Sequence, residues 1–316
     1  MALPPPAYIP KDPGQDRSPI RSQIILIETS PTISQAHEKP LPKTPNRLRT
    51  YVPRLPERLR AHLLSPIHTT LYTELELLLL SFFIGMQDAT TYPDYHCFAS
   101  NQTGNTIFLA LSALHPGTVK TLFTPPNVST ALGLFLLGGW STGQLGHRLP
   151  ASPRTRAWVL ATSALQTALV LAAAALQFRV LPTRSEEKEE VALTAGTGAG
   201  AGPALGVLAL LAFASGSQVV LSRSLKVPEI STAMATAAWV DLIIDPQLFG
   251  RGENRPRNRR LWFLGTLLAG GFAGAGVYRY LGSSWSILIS GIGKLIVTIM
   301  FLFNESEDKG LDDENV

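Results

Sequence analysis

The sequence predicts an all-α polytopic transmembrane bundle of two related halves, and three observations predict it. Six apolar runs, at residues 71–92, 128–146, 157–178, 203–221, 261–281 and 284–303, each approach the roughly 20 residues with which a helix crosses about 30 Å of hydrocarbon. Short charged loops separate them, an arrangement that a soluble protein with buried core helices does not need. A polar signature also recurs 131 residues on: Gly139-xxx-Gly143-xxxx-Arg148 returns as Gly270-xxx-Gly274-xxxx-Arg279, and Gly85-Met86-Gln87 as Gly216-Ser217-Gln218. Duplication of a helical unit is a known route to a membrane protein with a site between its halves. Repeat one covers about 71–178 and repeat two about 203–304.

The stretch before the first run is of another kind. Residues 1–66 hold thirteen prolines, so neither a helix nor a central strand extends far, and the composition is that of a disordered arm. This polar arm dilutes the apolar remainder to a mean hydropathy of only +0.16. Its one apolar cluster, Ile24 to Ile27, is too short for the core of a cleaved signal. Lys43, Arg47, Arg49, Arg54, Arg58 and Arg60 stand against the single acid Glu57 just before the first run. By the positive-inside tendency the N-terminus is therefore cytoplasmic. The acidic tail at 305–316 carries little topological weight.

Two segments at equivalent places in the repeats fit the pattern poorly. Thr106 to Leu122 is apolar for about ten residues before His115-Pro116-Gly117, and Ile230 to Phe249 contains Asp241, Asp245 and Pro246. Neither makes a comfortable span. If both are partial or re-entrant, the chain has six spans and inverted halves; if both cross, it has eight spans and parallel halves. Loop charge favours six: ten basic residues then lie inside and five outside, against nine and six for eight spans.

Polar residues within apolar surroundings are the candidate solute-binding groups. Asp88 lies inside the first run, where burying it costs about 2.5–3.5 kcal/mol on insertion scales, so it should face the bundle interior and have a partner. Lys294 sits near the middle of the last run, and a carboxylate such as Asp88 or Asp241 is the expected partner. Asn101, Thr103 and Asn105 cluster where a helix should begin, with Thr103 or Asn105 as its cap and free N–H groups turned toward any bound group. The counterpart, Ser231 to Thr236, keeps hydroxyl and small residues but lacks the Gly-Asn pair, so the site is asymmetric. The glycine pairs fit close helix packing and offer a face for homo-oligomer formation. Three glycosylation sequons, beginning at Asn101, Asn127 and Asn304, lie near expected membrane boundaries.

Several functions are excluded or disfavoured. A single cysteine, Cys97, rules out an internal disulfide and any multi-cysteine metal centre. The six histidines form no His-x-x-x-His pair, and no Gly-Lys-Ser/Thr phosphate loop occurs. We read no cofactor, no metal and no enzymatic role. The pI near 9.3 comes from loops and arm, which points to anionic lipid rather than nucleic acid.

The order Gly85, Asp88, Ala89, an aromatic, a loop with Phe98, then Thr103-Gly104-Asn105 opening an apolar helix resembles the YoaK-like family of small integral membrane proteins, a domain of unknown function. The segment Val227 to Met234 is similar to fungal members in particular. The resemblance covers about 71–304 and implies a polytopic protein without an assigned substrate. At Ala235 to Ala237 the chain departs from the commoner bacterial pattern, which has a second Thr-Gly pair there. Two functions follow: a transporter or channel for a small solute through Asp88, Asn101, Thr103, Asn105, Asp241 and Lys294, or a non-transporting scaffold in which the same groups only tie helices together.

Overall fold

The computed structural model describes residues 56–114, 124–148, 153–180 and 201–306. Most of the proline-rich arm, the second half of the segment ending at Leu122 and the acidic tail beyond 306 lie outside these residues. Nine helices and two isolated bridges, with no strand, make up the described residues.

The first helix, α1 (Glu57–Leu64), lies inside the stretch expected to be disordered. The physical reason is local: Pro56 stands just before it, where a proline is tolerated, and the next proline is Pro66, leaving one uninterrupted window. Tertiary bonds then fix it. Arg156 is fully buried, and its guanidinium donates to the His62 carbonyl at 2.5 Å, to Ser65 Oγ at 2.8 Å and to the Asn304 carbonyl. Deleting residues 1–55 should leave the melting temperature in detergent unchanged. Deleting 1–66 should lower it by several degrees, because the buried guanidinium loses two acceptors; equal melting of both truncations would show α1 to be a passive tail.

Six long helices follow the six apolar runs to within about six residues at either end. They are α2 (Leu71–Tyr95), α4 (Pro125–Arg148), α5 (Arg156–Val180), α6 (Ala201–Ser224), α8 (Arg255–Leu281) and α9 (Ser283–Met300), with the shorter α3 (Gln102–Leu114) and α7 (Ala235–Ile243) between them. By length and composition, α5, α6, α8 and α9 are able to cross a membrane. Helices α2 and α4 match them in length, with more polar residues.

Contacts fix the direction of each helix. On α2 and α8, the carbonyl of Phe82 closes on Gly270 and the backbone of Met86 on Gly274, so these two run parallel. On α4 and α6, Gly138 meets the carbonyl of Phe213, while Thr142 donates to Ser217 Oγ at 2.8 Å, again in parallel. Helix α9 runs antiparallel to both α2 and α5: Gln87 donates to Ser290 Oγ at 2.6 Å, Thr90 pairs with Ser286 at 2.6 Å, and Ser163 with Thr298 at 2.7 Å. Gln166 reaches Ser217 and Leu176 reaches Gly206, so α5 and α6 are antiparallel too. Consequently α2, α5 and α8 point one way, and α4, α6 and α9 the other.

The two parallel pairs use one device. Where small residues face each other, the backbone carbonyls of one helix settle directly onto the glycines of the next, and such close van der Waals packing is the main attraction between helices in lipid. Gly85 packs beneath the Leu267 carbonyl and Gly216 beneath that of Phe135. Phe82 and Phe213 are 131 residues apart, yet Gly270 and Gly138, which receive their carbonyls, are 132 apart. The contact partner of Phe213 is thus Gly138, one residue before the glycine that sequence spacing selects. These close-packed glycines are covered within the chain.

One end of the bundle gathers the start of α2, α5 and α8 with the end of α9. There His68 N–H donates to the Glu305 carbonyl at 3.0 Å, Ile67 N–H to the Arg154 carbonyl at 3.0 Å, and Arg259 bridges Glu74 at 2.6 Å and Glu229 at 3.4 Å. The loop at 153–156, the start of α8 and the last described residues therefore share a face.

Candidate functional site

The site is made by two turns that interrupt the long helices. At the end of α2, His96 adopts a left-handed conformation, φ 54°, and the chain doubles back. Asp88 lies seven residues, roughly 10 Å, before that helix end, and its carboxylate accepts from Ser100 N–H at 2.9 Å and Ser100 Oγ at 2.5 Å. This draws the loop down along α2 and starts α3 at Gln102. Asn105 locks the loop: its Oδ1 accepts from Phe98 N–H at 3.0 Å and its Nδ2 donates to the Phe98 carbonyl at 2.7 Å. The ring of Phe98 stacks on Tyr92, centroids 4.8 Å apart.

The second turn follows α6. Lys226 and Thr232 are left-handed, at φ 59° and 60°, and Ser231 Oγ accepts from Met234 N–H at 3.0 Å. Helix α7 then opens with no side-chain cap and ends near α8, where Asp241 meets Arg260 at 3.6 Å. The described parts of α3 and α7, 13 and 9 residues, rise roughly 20 and 14 Å.

Between the two turns lies a cavity of about 820 Å³. Gly85, Asp88, Ala89 and Tyr92 of α2 form one wall, continued by Phe98, Ser100 and residues 101–103. Opposite stand Val219 and Arg223 of α6, residues 233–237 and Trp239. Leu264, Leu267 and Gly271 of α8, with Phe135 of α4, close the remainder. The wall is mainly apolar with a few polar groups, the usual makeup of a small-molecule site. Four pairs of lining residues stand 131 apart: Asp88 with Val219, Tyr92 with Arg223, Gln102 with Ala233, and Thr103 with Met234.

The structure brings together three of the six sequence candidates. Asp88, Asn101 and Thr103 line the cavity. Asn105 is fully buried behind them and holds the loop instead of capping α3, which begins three residues earlier. Asp241 lies apart on α7, its side chain 51% exposed. Lys294 is buried in the bundle centre, where it donates to Gln166 Oε1 at 3.3 Å and to Gln218 Oε1. It thus finds two amide oxygens in place of the expected carboxylate. Sequence reasoning missed Tyr92, Phe98 and Trp239 as wall residues and treated Arg223 only as a loop charge. The 131-residue spacing of Arg223 from Tyr92 was the signal that could have found it.

Other sequence features are resolved by their surroundings. Cys97 is buried, and burial, with Asp88 adding to it, pushes its thiol up to about 12, so it stays protonated and poorly nucleophilic. Gly139-Trp140-Ser141-Thr142-Gly143 spells the Gly-x-Ser-x-Gly pattern, yet it lies inside α4, with Ser141 Oγ donating to the Gly138 carbonyl at 3.2 Å. A nucleophile elbow needs a strand-to-helix turn. Of the sequon asparagines, Asn127 donates to the Tyr95 carbonyl and Asn304 to Glu76, both buried; Asn101 is exposed.

A family model described as "Protein of unknown function (DUF1275)" matches residues 77–300, from α2 through α9 and so across every wall of the cavity. Comparison with curated proteins and with solved structures finds no match.

Proposed function

The chain belongs to the DUF1275 family, an integral membrane protein by its apolar helices, and from that premise we propose that it passes a small solute through the cavity between α3 and α7. In this reading α2, α4, α5, α6, α8 and α9 are six spans, and α3 and α7 are half-helices that enter from opposite faces. Three spans per half invert the second half relative to the first. Transporters with inverted halves place their solute near the bilayer midplane, between discontinuous helices whose N-terminal ends face it. The observation that carries the reading is the set of four lining pairs at the repeat spacing, which supports a cavity shared by two related halves. The alternating directions of the six long helices support the same topology. The face bearing Arg154, Arg156 and the start of α8 is then cytoplasmic, as are both termini.

A scaffold reading has its own support, since Gln87–Ser290, Thr90–Ser286 and Ser163–Thr298 tie helices through buried polar bonds. Water access separates the two. In a Cys97→Ser background, single cysteines at Ala89 and Ala237, on opposite walls, should react with a small hydrophilic thiol reagent in membranes, while one at Ala173 in the bundle core should not. Silence at both wall positions would mean a dry, closed bundle and favour the scaffold.

A further inference from the structure

The charged groups of the cavity are unequally satisfied. Asp88 is the carboxylate in the wall, and its two oxygens already take the N–H and O–H of Ser100. Arg223 is the cation in the wall, and the partner of its guanidinium among the described residues is the Met234 sulfur at 3.0 Å. A thioether is a weak acceptor and carries no charge to match the guanidinium. Next to Met234, the first residues of α7 line the same space, and no side chain caps their N–H groups. Tyr92 and Phe98, stacked on each other, and Trp239 supply an aromatic surface. A positive group whose partner among the described residues is an uncharged sulfur, beside backbone donors without a side-chain cap and near apolar lining, is complementary to an amphipathic anion.

We propose that the cavity binds small organic anions, with the anionic group against Arg223 and the opening turn of α7 and the apolar or aromatic body against Tyr92, Phe98 and Trp239. This inference rests on the cavity being a solute site, and it names the class of solute. The anionic group has two sources, a free carboxylate or phosphate and the headgroup of an anionic lipid, which share the chemistry of recognition. Asp88 plays a separate part, positioning the α2–α3 turn that forms the opposite wall.

The full-length protein in uncharged detergent is titrated calorimetrically with benzoate, benzamide and benzylamine, which share a ring and differ in charge. Benzoate should bind saturably at one site, with benzamide and benzylamine at least about tenfold weaker, the usual loss when a charge-assisted bond is removed. Arg223→Gln should weaken benzoate about tenfold without changing the melting temperature, since Arg223 is exposed and its bond to the Met234 sulfur is a weak one. Repetition in nanodiscs of phosphatidylcholine with and without phosphatidylglycerol identifies the source. Unchanged benzoate affinity supports a free solute, whereas competition by phosphatidylglycerol that disappears in Arg223→Gln supports a lipid headgroup. Equal affinity for benzoate and benzamide, no benzoate binding, or full benzoate affinity in Arg223→Gln would overturn the proposal. Benzoate binding with unreactive wall cysteines would sink the path and leave the anion site standing; reactive cysteines without charge preference would do the reverse.

Discussion

Leucine in place of Gly270 should leave almost no correctly folded protein, measured as monodisperse material after extraction in mild detergent. A Cβ at this position would stand 2.7 Å from the carbonyl carbon of Phe82 and 2.9 Å from its Cα, closer still to its oxygen. Overpacking against movable side chains costs about 1–3 kcal/mol. Here the obstacle is backbone, so α2 and α8 must separate along their length. Gly270→Ala should already lower the melting temperature. The equivalent contact predicts that Gly138→Ala, under the Phe213 carbonyl, has a similar effect. Gly265 lies on the same helix with nothing near its Cβ position, so Gly265→Leu should change stability by no more than about 0.5 kcal/mol. Comparable yields of Gly265→Leu and Gly270→Leu would refute close backbone packing as the reason for these glycines.

Lys294→Met should be the most damaging of the polar substitutions. Methionine keeps an unbranched stem of similar length, so packing is largely preserved, but Gln166 Oε1 and Gln218 Oε1 lose their donor in the bundle centre. Each orphaned buried acceptor costs about 1–3 kcal/mol. Replacing the acceptors as well removes that penalty, because an apolar set of matching shape needs no partners. Lys294→Met combined with Gln218→Met should therefore melt higher than Lys294→Met alone. Strictly additive losses in the pair would mean that the three groups are not coupled as the hydrogen bonds indicate.

What the sequence discloses and what it hides divide along physical lines. The six long helices were legible because a long apolar helix declares itself through local hydropathy, without reference to its neighbours. The two short helices were legible through their interruptions, His115-Pro116-Gly117 and the pair Asp245-Pro246. Helix α1 was not, since its order comes from Arg156 and the Leu302 carbonyl, which bond His62 from about a hundred and two hundred and forty residues away. The partners of Lys294 were illegible for the same reason: a carboxylate is the obvious complement of an ammonium, but which oxygen lies opposite is set by how α5, α6 and α9 rotate. Within the site, Asp88 and Thr103 announced themselves as polar residues in apolar company. Asn105 did so too, yet its amide spans the loop behind the wall. Arg223 read as a loop charge because it stands one residue from the end of α6, and only the fold turns it toward a cavity.

The exchanged pairing of helices, α2 with α8 and α6 with α4, has a consequence for biogenesis. The close-packing partner of α2 is the penultimate helix of the described residues to be made. At synthesis rates of about 5–20 residues per second, roughly 10–40 s pass between the emergence of α2 and that of α8. During that interval the face along Gly85 lacks the Leu267 and Gly271 backbone that covers it in the folded chain, and Asp88 has only its own loop for company. The newborn first half is thus an unfinished object that waits in the bilayer for its complement, and the last two helices to arrive determine whether it becomes a protein or a substrate for quality control.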